Sequence, residues 1–299
     1  MIYDVRQVTT YRYAAPVATA SHVLRLSPVD RPGQRVLSMA LGVEPWPAER
    51  KETRDFFGNG LTRIALHARH EALVLCTTAR IDVTPQPVPE PEVTPPWETV
   101  RELAWGSTDI APTAPVHHLF PSRRVPIVPE ITAYTALSFA RGRPILASAF
   151  DLACRIRADF AYEPGATEVT TPVARAFAMR RGVCQDFSEI MIAGLRGLGL
   201  AAGYVSGFLR TEPPPGQPRL EGADATHAWV SLWCGPGIGW VGLDPTNALP
   251  AGLDHIVLAA GRDYSDAAPV DGVIVAAGKH ALIVAVDVVP LQIPASGLS

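Results

Sequence analysis

The sequence predicts an α+β protein, with a small antiparallel β domain ahead of a mixed core. Three observations carry this prediction. Short strand-like segments separated by proline and glycine fill about the first ninety residues. One helix with a continuous apolar face follows a break at Arg180-Arg181-Gly182. Alternating strands with glycine-rich turns occupy most of what comes after it.

In chain order, Tyr3 to Tyr13, Val23 to Leu26, Leu61 to His67 and Ala72 to Val83 read as strands. The Asn59-Gly60 pair closing Asp55 to Gly60 predicts a hairpin. From Pro85 to Trp97 proline removes donors and fixes φ, so neither helix nor central strand runs through it and the segment reads as a linker. Ile145 to Phe160 has apolar residues at helical spacing, and Ala174 to Met179 reads as a short helix. Beyond the break, Phe187, Ile190, Met191, Leu195 and Leu198 mark one helical face ending near Gly199, which puts Cys184 at a helix N-terminus. Leu200 to Leu209 is strand-like, Pro213 to Pro218 a proline loop, and Thr226 to Trp233 and Gly239 to Asp244 are strands joined by the turn at Gly235-Pro236-Gly237. Gly272 to Ala277 and His280 to Val289 read as a closing β-hairpin. The expected division is a β-rich domain over 1–90, a proline-rich linker and connecting segment over 91–130, and a core with the closing hairpin over 131–299.

Composition narrows the function. A chain of 299 residues with 47% apolar and 18% charged residues can bury a core without metal or disulfide staples. A net charge of −3 offers no broad positive field, so no nucleic-acid partner is expected. The start, MIYDVRQVTTYRY, alternates as a strand and lacks the apolar stretch of a signal peptide, and no apolar run approaches the length of a membrane span. A cytoplasmic protein with no membrane partner is the expectation. Cys76, Cys154, Cys184 and Cys234 are far apart, and His117-His118, His255 and His280 make no ligand pattern. No metal and no cofactor are expected, and these histidines read as surface or packing residues.

A thiol attacks a carbonyl as thiolate, which unpaired N–H groups and the dipole at a helix N-terminus favour. Cys184 occupies such a position, and the same N–H groups suit the oxyanion formed on attack. Gly182 reads as room for the substrate's close approach. The thiol needs a histidine base oriented by a third group. If Gly235-Pro236 is a two-residue turn, Cys234 pairs with Gly237 and, counting outwards, His227 faces Asp244. Facing residues have Cβ atoms about 5 Å apart, close enough for a carboxylate to hold an imidazole. A longer turn shifts that register.

Several blocks then appear in a familiar order: Gly182-Val-Cys-Gln-Asp-Phe187, Met191-Ile-Ala, Leu195-Arg-Gly-Leu-Gly199, Gly203-Tyr-Val-Ser-Gly207, Thr226-His-Ala-Trp229 and Gly242-Leu-Asp-Pro-Thr-Asn247. Together they resemble the bacterial transglutaminase-like family. Tyr3 to Tyr13 and Phe57-Gly-Asn59 resemble its N-terminal β domain, and Gly261-Arg-Asp-Tyr264 with the final strands its C-terminal end. The resemblance implies a papain-like fold in which a helix-borne cysteine meets His and Asp from an antiparallel sheet. It implies Cys184 as nucleophile, His227 as general base and acid, and Asp244 as orienting carboxylate. The sequence departs from the family at Ser188-Glu189, where relatives often carry Ala-His.

The remaining candidates are weaker. Trp229 and Trp233 share a strand face with His227, and wall a cleft or pack in the core. Gln185 is a candidate substrate contact, Asp186 complements the helix dipole, and Tyr162 is a candidate oxyanion or cleft contact. Cys76, Cys154 and Cys234 read as structural. The expected activity is a peptidase or amidase acting on a peptide or protein through an acyl-enzyme. Amine transfer to a lysine, as in a transglutaminase, and an inactive peptide-binding module are the alternatives.

Overall fold

The computed structural model of the chain describes residues 1–85, 87–211, 224–276 and 278–291. The expected proline loop at Pro213 to Pro218 and the last residue of the expected strand Gly272 to Ala277 lie outside the described residues. The fold is α+β.

Strands β1 (Ile2–Val17), β2 (Thr19–Ser27), β3 (Gln34–Glu44), β4 (Glu49–Arg54), β5 (Gly60–Leu66) and β6 (His70–Val83) build the N-terminal region. Period-two alternation sends Leu24, Leu66, Leu73, Leu75 and Ile81 into one apolar core. The β4–β5 hairpin forms as expected, but its turn is longer than an Asn-Gly pair. The Asp55 N–H donates to the Asn59 carbonyl, and Gly58 supplies the positive φ.

The expected closing hairpin does not form. Strand β14 (Val270–Val275) pairs with β2, while β15 (His280–Pro290) pairs with β1. The two N-terminal sheets therefore run β14-β2-β5-β4 and β15-β1-β6-β3, each completed by a strand from the chain's far end. Each added strand covers an edge of unpaired backbone groups, which a hairpin of β14 with β15 would have left open.

Helices α1 (Trp97–Trp105), α2 (Pro129–Ala136), α3 (Ile145–Asp159), α4 (Val173–Met179) and α5 (Cys184–Gly197), with the short α6 (Tyr264–Ala267), surround the second core. Its five-stranded antiparallel sheet contains β9 (Ala202–Leu209), β10 (Ala225–Trp233), β11 (Trp240–Asp244), β12 (Leu249–Pro250) and β13 (His255–Gly261), in the order β12-β11-β10-β9-β13. Helix α5 is buried along almost its whole length, between α2 and α4 and the sheet strands β9 and β10. Gly194 and Gly197 make the α2 crossing possible. A Cβ at either would fall about 2 Å from a threonine hydroxyl oxygen, Thr135 or Thr132.

The two regions are joined at β13, an edge strand. The Gln34 amide donates to the Val257 carbonyl and accepts from the Val257 N–H, at 2.9 and 2.8 Å. The Asn59 amide makes the same paired contact with Ala260, at 2.8 Å in both directions. Side-chain amides thus stand in for a neighbouring strand and satisfy groups that an edge leaves open. Phe208, Ile256 and Leu258 of β9 and β13 also enter the N-terminal apolar core, so the regions share buried surface.

Candidate active site

Cys184 is the first residue of α5, as its position after the Arg180–Gly182 break predicts. The break has a visible cause. Arg180 adopts a left-handed conformation (φ 54°) that ends α4, and Arg181–Gly182 then form the short strand β8, paired in parallel with β7 (Ala161–Tyr162). The register places Tyr162 opposite Gly182, two residues from the thiol. Asp186 caps the helix by accepting from the Val183 N–H at 2.8 Å and from the Thr167 hydroxyl at 2.6 Å. Gly182 makes room for this cap, since a Cβ there would meet the Asp186 carboxylate at 2.5 Å.

His227 and Asp244 come together by a different register from the expected one. The connection runs over Cys234–Gly239, closed by the Cys234 N–H to the Gly239 carbonyl, so Trp233 pairs with Trp240 and Val230 with Leu243. Relative to a two-residue turn, the ladder has slipped by two. An even slip keeps every side chain on its face, so His227 and Asp244 become diagonal neighbours instead of facing ones. The imidazole still reaches the carboxylate, with His227 Nε2 2.8 Å from Asp244 Oδ2. The Cys184 sulfur lies near enough to the same imidazole to help raise its pKa.

Asp244 is fully buried and densely partnered. The Asn247 side-chain amide donates to Oδ2 at 2.7 Å, and the backbone N–H groups of Thr246 and Asn247 donate to Oδ1 at 2.9 and 3.2 Å. His255 Nε2 is 3.3 Å from Oδ2. Burial opposes the carboxylate's charge, but the hydrogen bonds from His227 and His255, with the His227 charge and Asn247, hold its pKa well below the usual range. Burial likewise disfavours a charged His227. The hydrogen bond and charge of Asp244, with the nearby Cys184, more than offset this, raising its pKa to about 9. The assembly can hold a proton on the imidazole beside the sulfur and pass it on.

His227, Asp244 and His255 form a buried cluster whose ligand atoms are close enough to surround a cation. Hydrogen bonding argues against that use. The Gly252 N–H donates to His255 Nδ1 at 3.2 Å, so the proton of the neutral ring sits on Nε2. A cation bound at Nε2 would require an imidazolate.

The other candidates separate. Trp229 is buried and stacked on the His227 ring, with centroids 6.2 Å apart, and meets His255 edge-on, so it backs the histidines. Gly207 makes room for it, since a Cβ there would lie 2.6 Å from the indole. Trp233 instead joins the apolar core beneath α5. Gln185 donates to the Val169 carbonyl at 3.2 Å, which ties the helix start to a loop. Tyr162 is half exposed, and burial and the nearby Cys184 raise its pKa. Glu189 is buried and paired with Arg124 at 2.9 Å; burial pushes its pKa up to about 7 despite the guanidinium. His255 and Asn247 are the contacts sequence reasoning missed. His255 was expected at the surface or in packing, whereas the structure buries it against Asp244. Asn247 lies within the last sequence block, three residues after Asp244, where a turn returns its amide to the carboxylate.

Comparison with known proteins finds family matches in both regions of the chain. Residues 3–84 match the bacterial transglutaminase-like N-terminal region, and residues 137–245 match the transglutaminase-like superfamily. An uncharacterized protein of Mycobacterium tuberculosis is 38% identical over 297 residues, covering 97% of this chain and 93% of the relative. One of Mycobacterium leprae is 30% identical over 291 residues, covering 95% and 96%. The crystal structure of a "putative cysteine protease" from Cytophaga hutchinsonii superimposes with a TM-score of 0.74 at 21% identity, covering 98% of this chain and 92% of that chain, a likeness of fold.

Proposed function

Because the chain belongs to the bacterial transglutaminase-like family, we propose that it is a thiol enzyme of amide bonds, with Cys184 as nucleophile, His227 as general base and acid, and Asp244 as the carboxylate that orients the ring. The observation that carries this reading is one imidazole held by Asp244 at 2.8 Å, its pKa raised also by the nearby Cys184, the first residue of a helix. In this reading the Cys184 proton already rests on His227, and the sulfur, as thiolate, bonds to the carbonyl carbon. Unpaired N–H groups of the first turn of α5 face the resulting oxyanion. Collapse breaks the C–N bond, the His227 proton leaves with the amine, and a thioester remains. Water then attacks, giving its proton to His227, and the carboxylic acid departs as the thiol is restored.

Hydrolysis needs only that water reach the thioester, and the half-buried Cys184 beside half-exposed Tyr162 supports that access. The substrate class is a peptide or protein carboxamide. The test is mass-resolved iodoacetamide labelling of wild type and Cys184→Ala, then incubation with a mixed peptide library with and without a primary amine. Cys184-dependent products lacking the amine support hydrolysis. Amine-bearing products would establish transfer, and labelling no faster than an ordinary thiol without turnover would leave a binding module.

A further inference from the structure

We infer that His255 is a positioning residue for the reaction, acting through Asp244 as a second imidazole donor that fixes the carboxylate against His227. The inference rests on the thiol-enzyme reading above. Three observations meet here. His255 is 7% exposed and opens the edge strand β13, yet its Nε2 approaches the oxygen that binds His227, Asp244 Oδ2, at 3.3 Å. Its tautomer is set from the other side, because the Gly252 N–H occupies Nδ1 and leaves the ring proton on Nε2 to be donated. Its ring is braced, since Trp229 meets it edge-on at 5.1 Å while stacking on His227.

A carboxylate that orients a catalytic imidazole must keep one rotamer, and outer partners usually enforce it. Asp244 Oδ1 is held by the two backbone N–H groups of the Thr246-Asn247 turn. Oδ2 is held by His227, His255 and the Asn247 amide. His255 is the one anchor that comes from the opposite edge of the sheet, so it resists rotations that the local turn permits. The titratable groups facing His227 are Cys184 from α5, Asp244 from β11 and His255 from β13. Withdrawing the His255 donor leaves more negative charge on Oδ2 for the His227 proton, which is then retained to higher pH.

The experiment compares full-length wild type with His255→Phe, which keeps a ring and removes the donor, and His255→Gln, whose amide places a donor near the former Nε2. Readouts are kcat and KM against pH, the pH profile of Cys184 alkylation, and Tm. For His255→Phe, kcat falls by about 10- to 100-fold, the change expected for one hydrogen bond to a charged group, with KM within about twofold. Its alkaline limb moves up by about half a unit or more, a charge effect on His227. His255→Gln recovers most of kcat and the wild-type limb. A His255→Phe profile that superimposes on wild type overturns the inference. So does equal impairment of both variants, which would report packing alone. If wild-type Cys184 itself alkylates no faster than an ordinary thiol, the thiol-enzyme reading has failed, and the positioning role falls with it.

Discussion

Two buried histidines, one in each region of the molecule, have opposite electrostatic fates. His22 lies in the N-terminal sheets and His227 in the core sheet, and they are 6% and 7% exposed. Neither ring nitrogen of His22 has a hydrogen-bond partner among the described residues, and burial with the neighbouring His70 lowers its pKa. His227, equally removed from water, has Asp244 on one nitrogen and Cys184 nearby, and its pKa rises to about 9. Burial alone neutralises an imidazole, whereas burial with a fixed carboxylate keeps it charged. The N-terminal region packs its histidine as a ring; the core equips its histidine to carry a proton.

The substitution Asp244→Asn would break this contrast most sharply. It removes the charge that sustains imidazolium and favours the wrong tautomer, so turnover on a Cys184-dependent peptide substrate should fall by about 10⁴-fold. The His227 titration, followed by imidazole NMR, should drop towards ordinary values. A variant within about tenfold of wild type would mean that His227 does not depend on this carboxylate.

The junction between the regions comes next. Asn59→Ala removes the paired contact with Ala260 and leaves buried backbone groups unsatisfied, at about 1–3 kcal/mol for each group. Calorimetry should show a fall in Tm of several degrees. Deleting residues 1–90 should not leave a folded core, because β13 would lose its amide partners and β14 and β15 their sheets.

A smaller effect sharpens the histidine comparison through pH. His227 has a raised folded pKa, so its contribution to stability is complete below about 6.5 and is lost as pH rises through about 9. His22 has a lowered one, so its contribution is present above about 6.5 and is lost as pH falls. Denaturant unfolding at pH 5, 7 and 9 should therefore show His22→Leu gaining on wild type towards acid, and His227→Ala losing less against wild type towards alkali.

The smallest expected change is at Glu189. Its carboxyl is raised to about 7, so wild type loses stability as pH rises from the ordinary carboxylate range through that value. Glu189→Gln does not titrate there, and thermal melts should place its Tm closer to or above wild type at pH 8 than at pH 5. Parallel pH curves for the two proteins would refute the burial argument.

The local features of the site were legible in the sequence. The break at Arg180–Gly182 and the apolar spacing from Phe187 to Leu198 locate the start of α5 from neighbouring residues alone. The face shared by His227 and Asp244 was legible too, because strand parity survives a slip of two. The register itself was not, since Gly235, Pro236, Gly237 and Gly239 permit several turn lengths. The part Gly182 plays in the helix cap was not legible, because the Asp186 carboxylate that fills its space arrives only once the cap has folded.

By itself, then, the sequence determined the α+β class, the cysteine at a helix start, and the histidine and aspartate of one strand face, because dihedral preference and periodicity act over a few residues. Only the tertiary structure decided that β14 and β15 complete the N-terminal sheets, that Gln34 and Asn59 stand in for a strand beside β13, and that His255 meets Asp244. Those contacts join residues distant along the chain or across the sheet, and they form where backbone and side-chain polar groups, once removed from water, must find partners in the assembled fold.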